Sequence, residues 1–229
     1  MRSLAAIKAC HDGPGVFNDF EFLFDPVARS TCTASTLCAY EAKFQSIFRV
    51  TVADWKFIRR HTEQDLDRRQ DGRGRPPIPI NLIMSTALLF LGHGTTYLST
   101  SIMMRNGLSE TSTLRCVRLF TASVVKRLTP DMIKIPKSLA AFARNARAFE
   151  ARSGIPDIIG AIDGSHIRVA PPKRLQRSYF NRKSYYSVIL SAVCDARGAF
   201  MCCDVGFPGR MSDSKVLRQV PMLLPVLPS

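Results

Sequence analysis

The periodicity of this chain changes once, near Gly154, and that change restricts the fold more than any other feature. Before it, apolar residues recur at helical spacing. After it, they form short strand-like runs separated by turn residues. The pattern predicts an α+β protein: an N-terminal helical region followed by a three-stranded antiparallel meander.

The helical half has legible punctuation. Thr51, with Asp54 three residues on, reads as an N-cap for a helix carrying Trp55 and Ile58. Leu82, Ile83, Ala87, Leu88 and Leu91 suggest a buried helix ended by Gly92-His-Gly94, and residues 97–104 a short one. After Asn106-Gly107, Ser109 caps a longer helix with the stripe Leu114, Val117, Phe120, Val124 and Leu128. Helix, tight turn, helix is the outline of a helix-turn-helix, and the second helix carries Arg115, Arg118, Lys126 and Arg127. An ordinary αα-corner with solvated charges has the same outline. Residues 138–152 predict an amphipathic helix with Leu139, Phe142, Ala146 and Phe149 on one face, stopped by Gly154.

Beyond it, residues 158–169, 186–194 and 200–205 read as strands, with a turn at Asp195-Ala-Arg-Gly198. The first is expected as a buried strand delivering Asp163 to a sheet edge. Asp213 follows a Pro-Gly turn and opens the next helical segment. Two carboxylates converging from separate elements suit a hard divalent cation, Mg²⁺ or Mn²⁺. Asp195 reads as a turn residue, Asp204 as a strand residue facing solvent, and His166 as facing the side opposite Asp163. The loop 173–183 carries Lys173, Arg174, Arg177, Arg182 and Lys183 interleaved with Tyr179 and Phe180, a composition suited to phosphate contact and base stacking, or to simple solvation.

Charge points the same way. Thirty-two basic residues against eighteen acidic give a net charge of +14, which suggests DNA as partner. Eighteen of the basic residues, against eight acidic, lie in 49–153. Arg73-Gly-Arg-Pro76 has the form of an AT-hook core or of a solvated basic linker. The seven cysteines form no metal-spaced cluster; Cys194, Cys202 and Cys203 read as buried small hydrophobes of a protein from a reducing compartment. Lys8 and His11 break the only apolar stretch at the N-terminus, and the run 82–91 is too short to span a bilayer, so neither a secretory leader nor a membrane association is expected.

Four motifs occur in one order: Gly160-Ala-Ile-Asp163-Gly-Ser-His166-Ile, Tyr179-Phe-Asn181-Arg-Lys183-Ser-Tyr185, Ala192-Val-Cys-Asp195, and Gly206-Phe-Pro-Gly209-Arg-Met-Ser-Asp213-Ser. Together they resemble the DDE transposases of the PIF/Harbinger group and their domesticated relatives, the Harbinger transposase-derived nucleases. The resemblance implies an RNase H-like fold in which three acids hold divalent metal. Asp163 matches the first acid and Asp213 the second, so both are expected as catalytic and metal-ligating residues. It also implies a nuclear protein, with cytoplasm a further location, and a Myb-like DNA-binding protein as partner. Ser212 stands where the family commonly has His, and residues 214–229 contain no Asp or Glu. The chain is therefore expected to be C-terminally truncated, with a partial RNase H-like nuclease domain.

These readings divide the chain into an N-terminal extension (1–48), a basic helical region (49–153) and a partial nuclease domain (154–229). The expected function is a divalent-metal-dependent, transposase-derived DNA endonuclease, impaired for want of a third acid. The alternatives are a catalytically inactive DNA-binding or protein-interaction remnant and an unstable fragment with an unpaired sheet edge.

Overall fold

Four hydroxyl side chains start four of the helices. Thr33 accepts a hydrogen bond from the Thr36 N–H, Thr51 from Asp54, Ser109 from Ser112 and Ser138 from Ala141. Each satisfies a backbone donor that a helix N-terminus leaves orphaned. Thr51 and Asp54 complete a reciprocal capping box. The computed structural model describes residues 20, 23–25, 30, 32–67, 76–104 and 108–219. The expected turn at Asn106-Gly107, the AT-hook-like arginines and the tail 221–229 lie outside the described residues.

By internal contacts the chain divides between Thr129 and Pro130. The first unit contains α1 (Ala34–Phe48), α2 (Val52–Leu66), α3 (Ile80–His93), α4 (Tyr97–Met104) and α5 (Glu110–Arg127). In α3, seven consecutive residues, 83 to 89, are buried. A helix apolar on all sides must be wrapped, and α3 packs against each of the other four. Beside it Phe20, Phe44, Phe48 and Trp55 are fully buried, with ring centroids 4.8 to 6.1 Å apart. Cys116 lies in this core, and burial pushes its thiol up to about 11. Asp65 ties α2 to α5, accepting from Lys126 Nζ at 2.7 Å and Arg127 Nε at 2.6 Å. These hydrogen bonds, Arg127 first, hold its carboxyl well below the ordinary carboxylate range.

After a single-turn helix, α6 (Thr129–Met132), the second unit contains α7 (Leu139–Ser153), β1 (Ala161–Arg168), α8 (Gln176–Tyr179), β2 (Ser187–Cys194), β3 (Phe200–Pro208) and α9 (Asp213–Leu217). The three strands form one antiparallel sheet in the order β1-β2-β3. The architecture is thus mixed, helices and a three-stranded antiparallel sheet, as the change of periodicity requires. Asp195 shapes the β2–β3 turn by accepting from the N–H groups of Arg197 and Ala199, each at 2.9 Å. Burial acts to raise its carboxyl, but those two donors and the Arg197 guanidinium outweigh it and hold it low.

Several details differ from expectation. β1 is an edge strand and mostly exposed, with Ile162 and Ile167 both open to solvent. β3 runs on to Pro208, accommodated by register shifts at Ile189/Leu190 and Val193/Cys194. α7 buries none of its residues, and Leu139 is 88% exposed. It is pinned instead by polar contacts: Asn145 Nδ2 donates to the Ile159 carbonyl, and Arg152 to the Ala196 carbonyl. Of the three strand cysteines only Cys202 is fully buried; Cys194 and Cys203 are half-buried at the sheet rim. Asp204 is half-buried rather than facing solvent.

Candidate metal and nucleic-acid site

Gly164 is the point at which the two expected acids meet the same piece of backbone. Its N–H donates to Oδ1 of Asp163 at 2.8 Å, which draws that carboxylate toward the following residue. From the other motif, Oδ1 of Asp213 lies 3.2 Å from where a Cβ on Gly164 would stand. Asp213 is the first residue of α9, after Ser212 at the cap, and α9 is seated on the sheet by Val216, buried with Ile189 and Cys202. In the ladder Gly164 pairs with Ser191 and Asp163 with Ala192, so the Cβ of Asp163 leaves the strand on the face opposite Asp213. The two acids therefore flank β1 around Gly164, approaching from opposite faces of the strand rather than converging on one face as expected. Both are exposed.

The other acids and histidines are accounted for separately. His166 does lie on the face opposite Asp163, where its Nδ1 is 2.9 Å from the Ser187 hydroxyl. Asp204 pairs with Ser191 across β2, two strands from Gly164, and a strand spacing of about 5 Å places its backbone roughly 10 Å from that glycine. Among the described residues no three His, Cys, Asp or Glu side chains stand close enough to hold a metal. The donor chemistry of Asp163 and Asp213, two exposed carboxylates, fits a hard cation that keeps most of its water.

The basic loop is built on a buried polar frame that the sequence did not reveal. Asn181 is 3% exposed; its Oδ1 accepts from the N–H groups of Lys183 and Tyr185, and its Nδ2 donates to the Ser187 hydroxyl at 2.8 Å. Gly209 packs against the loop so closely that an added Cβ would fall 2.7 Å from the Ser187 carbonyl and 2.8 Å from that of Tyr179. Around this frame Lys173, Arg174, Arg177, Arg182 and Lys183 are all exposed. Tyr179 is half-buried, whereas Phe180 is 46% exposed. In the helical unit Arg115 and Arg118 are exposed along a groove on α5 with Thr111, Ser112, Leu114 and Leu119, while Lys126 and Arg127 are engaged by Asp65.

Residues 162–227, which span both acids and the basic loop, match the family model described as DDE superfamily endonuclease. The chain is also similar to the curated "Putative nuclease HARBI1" of Rattus norvegicus, 36% identical over 113 residues, and of Homo sapiens, 33% identical over 113 residues. This part of the chain is thus similar to the DDE endonucleases, and the chain to Harbinger-derived members of that group. Each alignment takes in 49% of this chain and 32% of the relative, so the chain spans about a third of the length of these curated relatives. "Protein ALP1-like" of Arabidopsis thaliana is similar over more of the chain, 25% identical across 182 residues, or 76% of it and 43% of the relative. No solved structure matches the chain. In the DDE segment the residues that sequence reasoning missed are Asn181, Ser187 and Gly164. Only the Asp-Gly and Pro-Gly pairs signalled close approaches, and neither named its partner.

Proposed function

We propose that this chain carries the catalytic segment of a transposase-derived DNA endonuclease, with Asp163 and Asp213 as its metal-ligating and catalytic acids. One observation carries the reading: both acids lie within the segment that matches the DDE endonucleases, and Asp213 reaches β1 at the residue next to Asp163. Mg²⁺ or Mn²⁺ bound there would supply charge to a phosphodiester as it is hydrolysed. The chain's own part is to hold the two carboxylates and position the strand. Arg182 and Lys183, with Lys173, Arg174 and Arg177, take phosphates from a loop fixed by Asn181, since positioning supplies much of phosphoryl-transfer catalysis. Arg115 and Arg118 on α5 provide a second set of phosphate contacts, in the manner of a helix-turn-helix. The sheet is read as part of an RNase H-like fold, the protein as nuclear and a Myb-like protein as its DNA-binding partner, which the family resemblance supports.

Two acids hold an ion less firmly than three, so cleavage by these residues is expected to be slow and to need abundant metal. That same two-acid set favours a second reading, DNA binding without cleavage. The decisive measurement is nicking of supercoiled plasmid by the full chain with Mg²⁺ or Mn²⁺, beside Asp163→Ala and Asp213→Ala. Nicking lost in both variants supports the endonuclease. Salt-sensitive retention of DNA, with no nicking in any of the three, supports the binding module.

A further inference from the structure

Phe180 and Tyr186 form a ridge between two open grooves of the sheet unit. Their rings meet edge to face, with centroids 5.6 Å apart, and the backbone bridge between the two residues fixes the ridge. On one side lies a groove of about 440 Å³ whose wall includes Arg168 and Tyr185, with the Arg168 guanidinium 4.0 Å from the centre of the Tyr185 ring. On the other lies a groove of about 400 Å³ bordered by Arg177 and Arg210. Both volumes fall within the range of small-molecule sites, and no acidic residue lines either groove among the described residues. The parts are locked together: the Arg210 N–H donates to the Ser178 carbonyl, the Val169 N–H to that of Tyr186, and the Tyr186 hydroxyl to Gln176 Oε1.

We propose that this ridge is a stacking site for an unpaired nucleobase, so that the chain binds single-stranded or locally opened DNA beside its acids. The proposal rests on DNA being the substrate and adds which form of DNA is held and by which residues. A base inside a duplex has both faces covered by its neighbours. A half-exposed ring such as Phe180 can stack only on a base that has left the helix, while the flanking arginines take its phosphates. Arg168 already lies over the Tyr185 ring, which extends the platform by a cation–π pair. Gly164 and Arg168 lie four residues apart on one face of β1, about 13 Å along the strand, and Asp213 approaches Gly164 on that face, so one DNA strand can touch both Arg168 and Asp213.

The test uses the full chain in EDTA, where cleavage plays no part, and reads fluorescence anisotropy with a labelled oligo-dT and with a mixed-sequence duplex. Phe180→Ala is expected to weaken oligo-dT binding about tenfold, within the range base–aromatic stacking carries, and to leave the duplex within twofold. Phe180→Trp is expected to retain binding. Arg177→Ala with Arg210→Ala is expected to lower the salt slope on oligo-dT by about 1 to 2. Equal binding by wild type and Phe180→Ala, an equal loss on both forms of DNA, or no oligo-dT binding by wild type would each overturn the stacking site. Absence of plasmid nicking leaves it standing, so the two readings fail separately.

Discussion

Among the described residues, fourteen buried apolar side chains pack into the core of the helical unit, including Trp55 and four phenylalanines; in the sheet unit the corresponding cluster is Ile189, Cys202 and Val216. The two regions are held by different forces. The helical unit has a central helix buried on every side, so its stability comes from apolar burial. The sheet unit relies on its ladder and on polar pins at Asp195, Asn181 and Arg152. It also exposes apolar side chains on both edge strands, Ile162 and Ile167 on β1, Phe200 and Val205 on β3. The residues assigned to cleavage thus stand on the region with the thinner core, which makes that chemistry sensitive to small losses of packing.

Trp55→Ala is the most damaging change, expected to destabilise the helical unit by about 3–5 kcal/mol in urea unfolding. Ile189→Ala comes next, at about 2–5 kcal/mol, acting on the sheet alone. Because Trp55 is the single tryptophan, its fluorescence reports the helical unit, and Ile189→Ala should leave that transition in place while lowering a circular-dichroism step from the sheet. A fluorescence shift as large as the dichroism shift would mean the two units unfold as one, and the comparison would break. Gly209→Ala should cost about 1–3 kcal/mol, because its methyl meets two carbonyls; loosened oligo-dT binding should accompany the loss. Unchanged thermal stability and binding would show that the loop frame yields freely.

The smallest effect concerns acid. The Asp65 carboxyl titrates below its ordinary value of 3.8 when folded, so its contribution is complete above that value and is lost as pH falls through the folded one. Asp65→Asn should lower the melting temperature of the helical unit at pH 7 and flatten its fall between pH 4 and pH 2. An equally steep fall in the variant would assign the acid sensitivity to other carboxylates.

How much of this was readable in advance depends on how far apart the interacting residues lie. Thr51, Ser109, Gly94 and Gly154 act within one turn of their own helices, and each cap lies where the sequence places it. The three strands and the Asp195 turn were legible for the same reason, since their signals are alternation and turn chemistry. Burial was not. Leu139 looks like a core residue by its spacing, yet nothing in a helical wheel says whether a partner covers it. Nor does the sequence tell that β1 is an edge. The site divides likewise. Both acids stood out as motifs, but that Asp213 leans on Gly164, and that Asn181 and His166 share the Ser187 hydroxyl, depends on ladder register. Arg168 over Tyr185 and the nearness of Arg210 to the loop join residues from different motifs, and neither motif alone contains them.

The bare α-carbon of Gly164 has one last implication. Asp213 can come as near as it does because a hydrogen stands where any other residue would carry a methyl group or more. How near Asp213 can come to the strand that carries Asp163 is therefore gauged by an uncharged position. A chain could lose its chemistry through a single alanine there, with every ionisable group still in its sequence, and an inventory of acids would score it as intact.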